Sequence, residues 1–457
     1  MASTYLSKTP SGSGNRKTWT WSGWIKRSTL GSEQSFFGAY ADTNNFVAAQ
    51  FDSDDTLNIT YKHINASGGS LSTQTKRKIT NRVFRDVSSW YHIVIKFDAA
   101  NTNCDIYVNG TEETSFSTNE EPENRDYAVN HTNIHYLGGF PTSATGIADT
   151  KLDGLMSHVH LCDGQAYNAS NFGSTDSTTG EWTPNPAPSV TYGTNGYFLL
   201  KDSGTVTDAS GQGNNYTVAA GTLTNTLDCP DNNFATWNAS LAMNSTMVLT
   251  NGATTGKTAT NYAAGASNTW WSSLGMSSGK YYCEIKMSAA TANQGEVLGV
   301  GYDLSKHQQG STVNAYHLGY ISEGWAYFGA EGKVKSNNSD VLTGLATWTT
   351  NDIIGIAIDM DNNKLYFSKN GTFVNSGDPT SGSTGTGAVS LTANKTYFFG
   401  CSDASMSNTN TFQANFGNGY FGTTAVSSAG TNASGFGTFE YDVPTGYTAL
   451  CTKGLNA

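Results

Sequence analysis

The chain has 457 residues, a formal net charge of -11, 37% hydrophobic and only 13% charged residues. That length exceeds one ordinary core and implies two or three domains. An acidic, charge-poor surface excludes nucleic acid as a partner, and no apolar run approaches the ~20 residues that span a bilayer, which excludes membrane insertion.

Polarity is carried by hydroxyls and amides, with 50 glycines and 12% aromatics. This composition suits many short strands joined by turns. Such surfaces fit protein assembly or hydrogen bonding to sugars. The opening MASTYLSKTPSGSG carries no apolar signal segment. Cys104, Cys162, Cys229, Cys283, Cys401 and Cys451 lie far apart, with no CxxC pair. That spacing argues against zinc and, without a secretory route, predicts reduced thiols.

Taken in order, Thr18 to Arg27 (TWTWSGWIKR) puts large aromatics on both faces and reads as a strand packed on two sides. Ser35 to Phe51 reads as a hairpin around Asp42-Thr43-Asn44-Asn45, and Thr56 to His63 as another alternating strand. Lys76-Arg77-Lys78, with Arg82 and Arg85, reads as a solvated edge strand blunted by charge. Its alternative is a patch for anionic sugars, or for the acidic Glu112 to Asp126 region of another copy. In Ser89 to Gly110, Ile93, Ile95 and Phe97 share a face. A turn comes next, and Ile106 and Val108 return before Asn109-Gly110, a type I′ signal.

Trp90-Tyr91-His92, that apolar strand and Tyr107-Val108-Asn109-Gly110 form a pattern. With Ile134 to Gly139 and Leu152 to Ser157, it resembles the laminin-G-like and concanavalin-A-like jelly-roll family over roughly residues 1–175. Glu181 to Tyr192 then holds Pro184, Pro186 and Pro188, a stiff extended connector. Gly196 to Leu200 reads as a short strand and Asp208 to Asn215 as a tight turn.

Asn351 to Phe373 is a second hairpin. Ile354, Ile356, Ile358 and Met360 lie on one face; Gly355, Ala357 and Asp359 lie on the other, which a further layer could approach closely. Asp361-Asn362-Asn363 turns the chain, Leu365 and Phe367 return, and Asn370-Gly371 closes it. The plan repeats the first hairpin 260 positions on when Ile353 is set against Ile93 (353 − 93). With Gly279 to Glu284, Val297 to Gly301 and Gly319-Tyr320, this region resembles SPRY domains from about Thr269 onward. The SPRY resemblance implies a binding module without chemistry, whose partners are usually proteins.

The whole order includes Ser210-Gly211-Gln212-Gly213-Asn214-Asn215, Pro230 to Thr236, Phe412 to Gly417 and Pro444 to Leu450. In this it resembles virion proteins of tailed phages, marine ones especially.

Glycosidases on such sandwiches use Glu-x-Asp-x-x-Glu on one strand, and no such run exists; Glu120-Glu121-Pro122-Glu123 has the wrong spacing. Asp359 to Asn363 begins like a calcium loop but lacks its central Gly and its twelfth-position Glu. Asp52, Asp54, Asp55 and Asp153 sit where some laminin-G-like domains hold calcium, yet read first as turn formers. His158 and His160 can share a strand face without a third ligand. Trp19, Trp21, Trp90 and Trp348 read as core. Trp271, Tyr302, Asp303 and His307 are the candidate ligand-binding residues, because sandwich loops concentrate binding groups.

The sequence therefore predicts an all-β chain: two antiparallel jelly-roll β-sandwiches, at 1–180 and 246–457, joined by a Pro-rich connector and small linking segment at 181–245. The expected function is a non-enzymatic phage virion protein, a tail fibre or receptor-binding component with no cofactor and no metal. Its expected partners are other virion proteins, further copies of itself and host-surface polysaccharide, at the virion surface after assembly in the host cytoplasm. The alternatives are a head decoration protein and a polysaccharide-degrading tailspike.

Overall fold

The structure, a computed structural model, describes residues 4–456 except 68–69, 144–145, 148–149, 202–204, 242–246, 259–268, 291–295, 309–316 and 404–408. The chain forms two compact units, Met1–Asn225 and Thr226–Ala457. Both are antiparallel β-sandwiches, the all-β class the sequence predicts.

In the first unit, an eight-stranded sheet runs Phe116–Asn119, Ser70–Val83, Thr56–Ser67, Asn45–Phe51, Gln34–Asp42, Ile134–Leu137, Tyr5–Lys8, Thr217–Ala220. A six-stranded sheet runs Tyr197–Leu199, Gly154–Asp163, Thr18–Arg27, Tyr91–Asp98, Asn103–Val108, Thr111–Glu112. Alternation sends Trp19, Trp21, Ile93, Ile95 and Phe97 between the sheets, where Trp19 stacks on Phe97 at 4.6 Å. Within the 181–245 segment the short strand predicted at Gly196 to Leu200 forms as Tyr197–Leu199; it and Thr217–Ala220 each extend a sheet of this unit, and Trp182–Pro184, in the predicted connector, pairs with Gly173–Thr175. Tyr197, Phe198 and Leu199 are all buried, so this short apolar run completes a sheet.

The basic stretch is not an edge, because Phe116–Asn119 pairs outside it. Its acidic counterpart belongs to the same chain: Lys78 meets Glu121 at 2.6 Å and Arg82 meets Glu113 at 2.7 Å.

In the second unit a nine-stranded sheet centres on Lys280–Ala290, Ile353–Asp359 and Lys364–Lys369, facing a six-stranded sheet that contains Phe398–Asp403 and Glu296–Gly301. Ile354, Ile356, Ile358 and Met360 enter the core as the alternation predicts. The small-residue face is covered too, by Phe439, Val443 and Tyr447 against Ala357 and Tyr366. All six cysteines are free thiols, and five of them are buried.

Both hairpins end in the same device. Asn109 accepts the His92 N–H at 2.8 Å and donates to its carbonyl; Asn370 does the same with Ile353 at 2.9 Å. Asn and Gly both have positive φ in each turn, as type I′ geometry requires. The equivalence is therefore 261 positions (370 − 109 and 353 − 92), one more than apolar alignment suggests. A one-residue slip would exchange the two faces, and the shift puts Ile93, Ile95 and Phe97 opposite Ile354, Ile356 and Ile358, the core residues of each unit.

Candidate ligand-binding face

The outer face of the eight-stranded sheet carries an aromatic platform. Register sets Ile134, Tyr40, Phe46 and Lys62 in one row across four strands. The next row is Tyr136, Gly38, Ala48, Thr60 and Arg77. Gly38 leaves a notch that Phe140 fills: a Cβ there would lie 2.4 Å from a Phe140 ring carbon. Seated in it, Phe140 meets Phe46 at 5.4 Å, Tyr40 at 5.8 Å edge-on and Tyr136 at 6.4 Å edge-on. Tyr5 adds to the group beside Tyr136 at 6.2 Å.

Tyr136 and Phe140 are buried in this layer, whereas Tyr5, Tyr40, Phe46 and Ile134 remain half-exposed. The Tyr40 hydroxyl is buried and has no hydrogen-bond partner among the described residues. Lys62 lies 5.7 Å above the Phe46 ring, its ammonium donating to the Thr43 carbonyl at 2.7 Å. A polar strip adjoins the rings: Thr60 donates to Asn58 at 3.0 Å, while Asn58 and Gln50 both donate to Asp52. Half-buried rings beside the half-buried Gln50 amide and Lys62 ammonium present stacking surface and hydrogen-bonding groups to one ligand.

Of the residues the sequence singled out in the second unit, Trp271 and His307 come together, 4.7 Å apart, but are 1% and 0% exposed. They belong to the packed layer of Val297 and Leu318 and offer no surface for a ligand. Gly301 permits this closeness, since a Cβ would meet both rings. Burial pushes the His307 imidazole down to about 4. Tyr302 stays half-exposed, packed edge-on against Tyr397 at 5.4 Å with Lys395 5.2 Å above it. Asp303 is exposed with positive φ, accepting from Ser305 at 2.7 Å. The expected surface thus reduces to Tyr302 and Asp303. A separate open groove of about 520 Å³ lies between Thr343–Ala346 and the turn after Lys369, floored by Leu345, Phe373 and Val374.

One contact superficially suggests nucleophilic chemistry. Ser22 Oγ lies 2.8 Å from His92 Nε2. The Trp182 indole, which can only donate, reaches His92 Nδ1 at 2.9 Å. Nδ1 therefore carries the lone pair, and Nε2–H donates to the serine, the reverse of a general base. Burial holds the ring neutral, down to about 3.

His158 and His160 are engaged by Ser157 and Tyr192, at 2.8 and 3.0 Å. Asp52, Asp54 and Asp55 all accept from protein donors, Asp55 from Gly31 and Arg85 besides its pair with Arg27 at 3.0 Å. Thr29 donates to Asp153 at 2.6 Å. These four carboxylates serve the sandwich's own loops.

Comparison with known proteins respects this division. Residues 2–171 match the family model described as the concanavalin A-like lectin/glucanases superfamily, a laminin-G type, and residues 280–384 match the SPRY domain model. No curated protein matches the chain.

Among solved structures, the SPRY domain of human HERC1 is 19% identical, covering 37% of this chain and 91% of its own, with a TM-score of 0.28. A heptameric SAP-like pentraxin from Limulus polyphemus is 17% identical, covering 36% and 71%, with a TM-score of 0.26. A candidate carbohydrate-binding protein from Bacteroides ovatus is 17% identical, covering 48% and 58%, with a TM-score of 0.30. Scores this low carry no inference about ligands. The two family matches identify a laminin-G-like and an SPRY-like region on one all-β chain.

Proposed function

We propose that the protein is a non-enzymatic virion component of a tailed phage, holding host-surface polysaccharide on the outer face of its first sandwich. The observation that carries the binding reading is the platform of Tyr5, Tyr40 and Phe46, kept half-exposed around Phe140 beside the half-buried Gln50 and Lys62. Asp52 beside this surface accepts from Gln50 and Asn58, so its carboxylate serves the strip's own hydrogen bonds. The virion assignment rests on the resemblance of the chain's overall order to tailed-phage proteins.

Sugars exchange water hydrogen bonds for protein ones at small net gain, so each site binds weakly. Many copies on one particle would add roughly 10²–10⁴ in avidity.

Titration of the purified protein with extracted host polysaccharide tests this. Phe46→Ala and Tyr40→Ala should each weaken binding about five- to tenfold, the worth of one stacked ring, without lowering the melting temperature by more than a few degrees. Unchanged affinity in both variants would exclude the platform as the binding surface. Retention on purified capsids with no glycan binding would favour head decoration.

A further inference from the structure

One end of the second sandwich gathers buried oxygen atoms that glycan binding does not use. Glu296 and Asp403 are direct cross-strand partners, so their side chains share a face with Cβ atoms about 5 Å apart. Alternation fixes that face as the inner one, since Leu298 and Val300 follow Glu296 into the core and Phe399 and Cys401 precede Asp403 there. The two residues are 1% and 0% exposed. From the opposite sheet Asn410, wholly buried, shares the inward face of Phe412 and Ala414.

Thr258 ties the two sides together. Its Oγ1 lies 3.2 Å from Asp403 Oδ2 and accepts the Asn410 N–H at 2.7 Å. Yet neither carboxylate oxygen of Glu296 and neither amide atom of the Asn410 side chain has a hydrogen-bond partner among the described residues. Native interiors rarely leave such groups unmade, and two carboxylates on neighbouring strands of one buried face repel.

We propose that Glu296, Asp403, Asn410 Oδ1 and Thr258 Oγ1 bind a divalent cation of the calcium class between the two sheets. All four donors are hard oxygens, and a double positive charge balances two carboxylates. Calcium takes six to eight ligands in irregular geometry, so water completes the shell, whereas magnesium demands a stricter octahedron. The ion ties the six-stranded sheet to the nine-stranded one at this end.

The test is calorimetric melting of the full chain in chelator and in calcium, with terbium luminescence excited through Trp270. That indole lies on the inner face opposite Cys401, two positions along the strand from Asp403. Calcium at a hundredfold excess over Kd should raise the midpoint by roughly 5–10 °C. Glu296→Gln, which removes a charged ligand and keeps its shape, should lose both the shift and the emission while melting in chelator no lower than wild type. Asn410→Ala provides the same readout if the first variant fails to fold. Asp361→Asn, in the hairpin turn that begins like a calcium loop, should keep both signals. No shift and no emission from the wild type, or signals that survive in Glu296→Gln and Asn410→Ala, would overturn the site.

Discussion

Glu284 shows how one residue can set the pH response of a unit. It lies wholly buried on the covered face of the nine-stranded sheet, accepting the Glu440 and Tyr441 N–H groups at 2.8 Å each. Burial raises its carboxyl to about 7 in spite of those two bonds. The folded value stands above the unfolded one, so folding takes up a proton between them. Stability is highest below pH 4.5 and falls as pH rises toward 7, by about 3 kcal/mol from this group. Between pH 5 and pH 8 the second unit should therefore lose several degrees of melting temperature beyond what Glu284→Gln loses. Equal pH dependence in the two proteins would show that Glu284 is not the responsible group. None of this was legible in Gly279 to Glu284 as a strand, because the covering segment lies about 150 residues further along the chain.

At the scale of elements, the two hairpins were the most legible part. Their alternation, turn residues and Asn-Gly closures predicted both pairs of strands, and only the offset between them needed the Asn side-chain bonds to fix it. Ile356→Asp tests the face assignment, since Ile356 is fully buried opposite Phe367. An unpaired buried carboxylate costs several kcal/mol, on the order of a domain's whole stability, so the second unit should unfold. A variant that melts like wild type would refute the assignment.

Less was legible where function depends on distant residues meeting. Trp271 looked exposed because a polar loop precedes it, but Gly301 and Gly400 leave room for its ring inside the layer. Conversely the platform was invisible, because Tyr40, Phe46, Tyr136 and Phe140 become neighbours only through strand register and the notch at Gly38. The prolines of 181–192 suggested a stiff, extended connector, yet Trp182–Pro184 pairs as a strand, and Tyr197–Leu199 and Thr217–Ala220 beyond it extend the two sheets of the first unit.

For the whole molecule, the central claim is the proposal that the laminin-G-like sandwich holds polysaccharide without cutting it. The most direct measurement is to incubate the protein with extracted host polysaccharide and monitor both components by size exclusion. Polysaccharide and protein should co-elute, with the polymer's length unchanged after prolonged incubation and Phe46→Ala diminishing the complex. Progressive shortening of the polymer would contradict the non-enzymatic reading, and a wild-type protein that never co-elutes with it would contradict glycan binding itself.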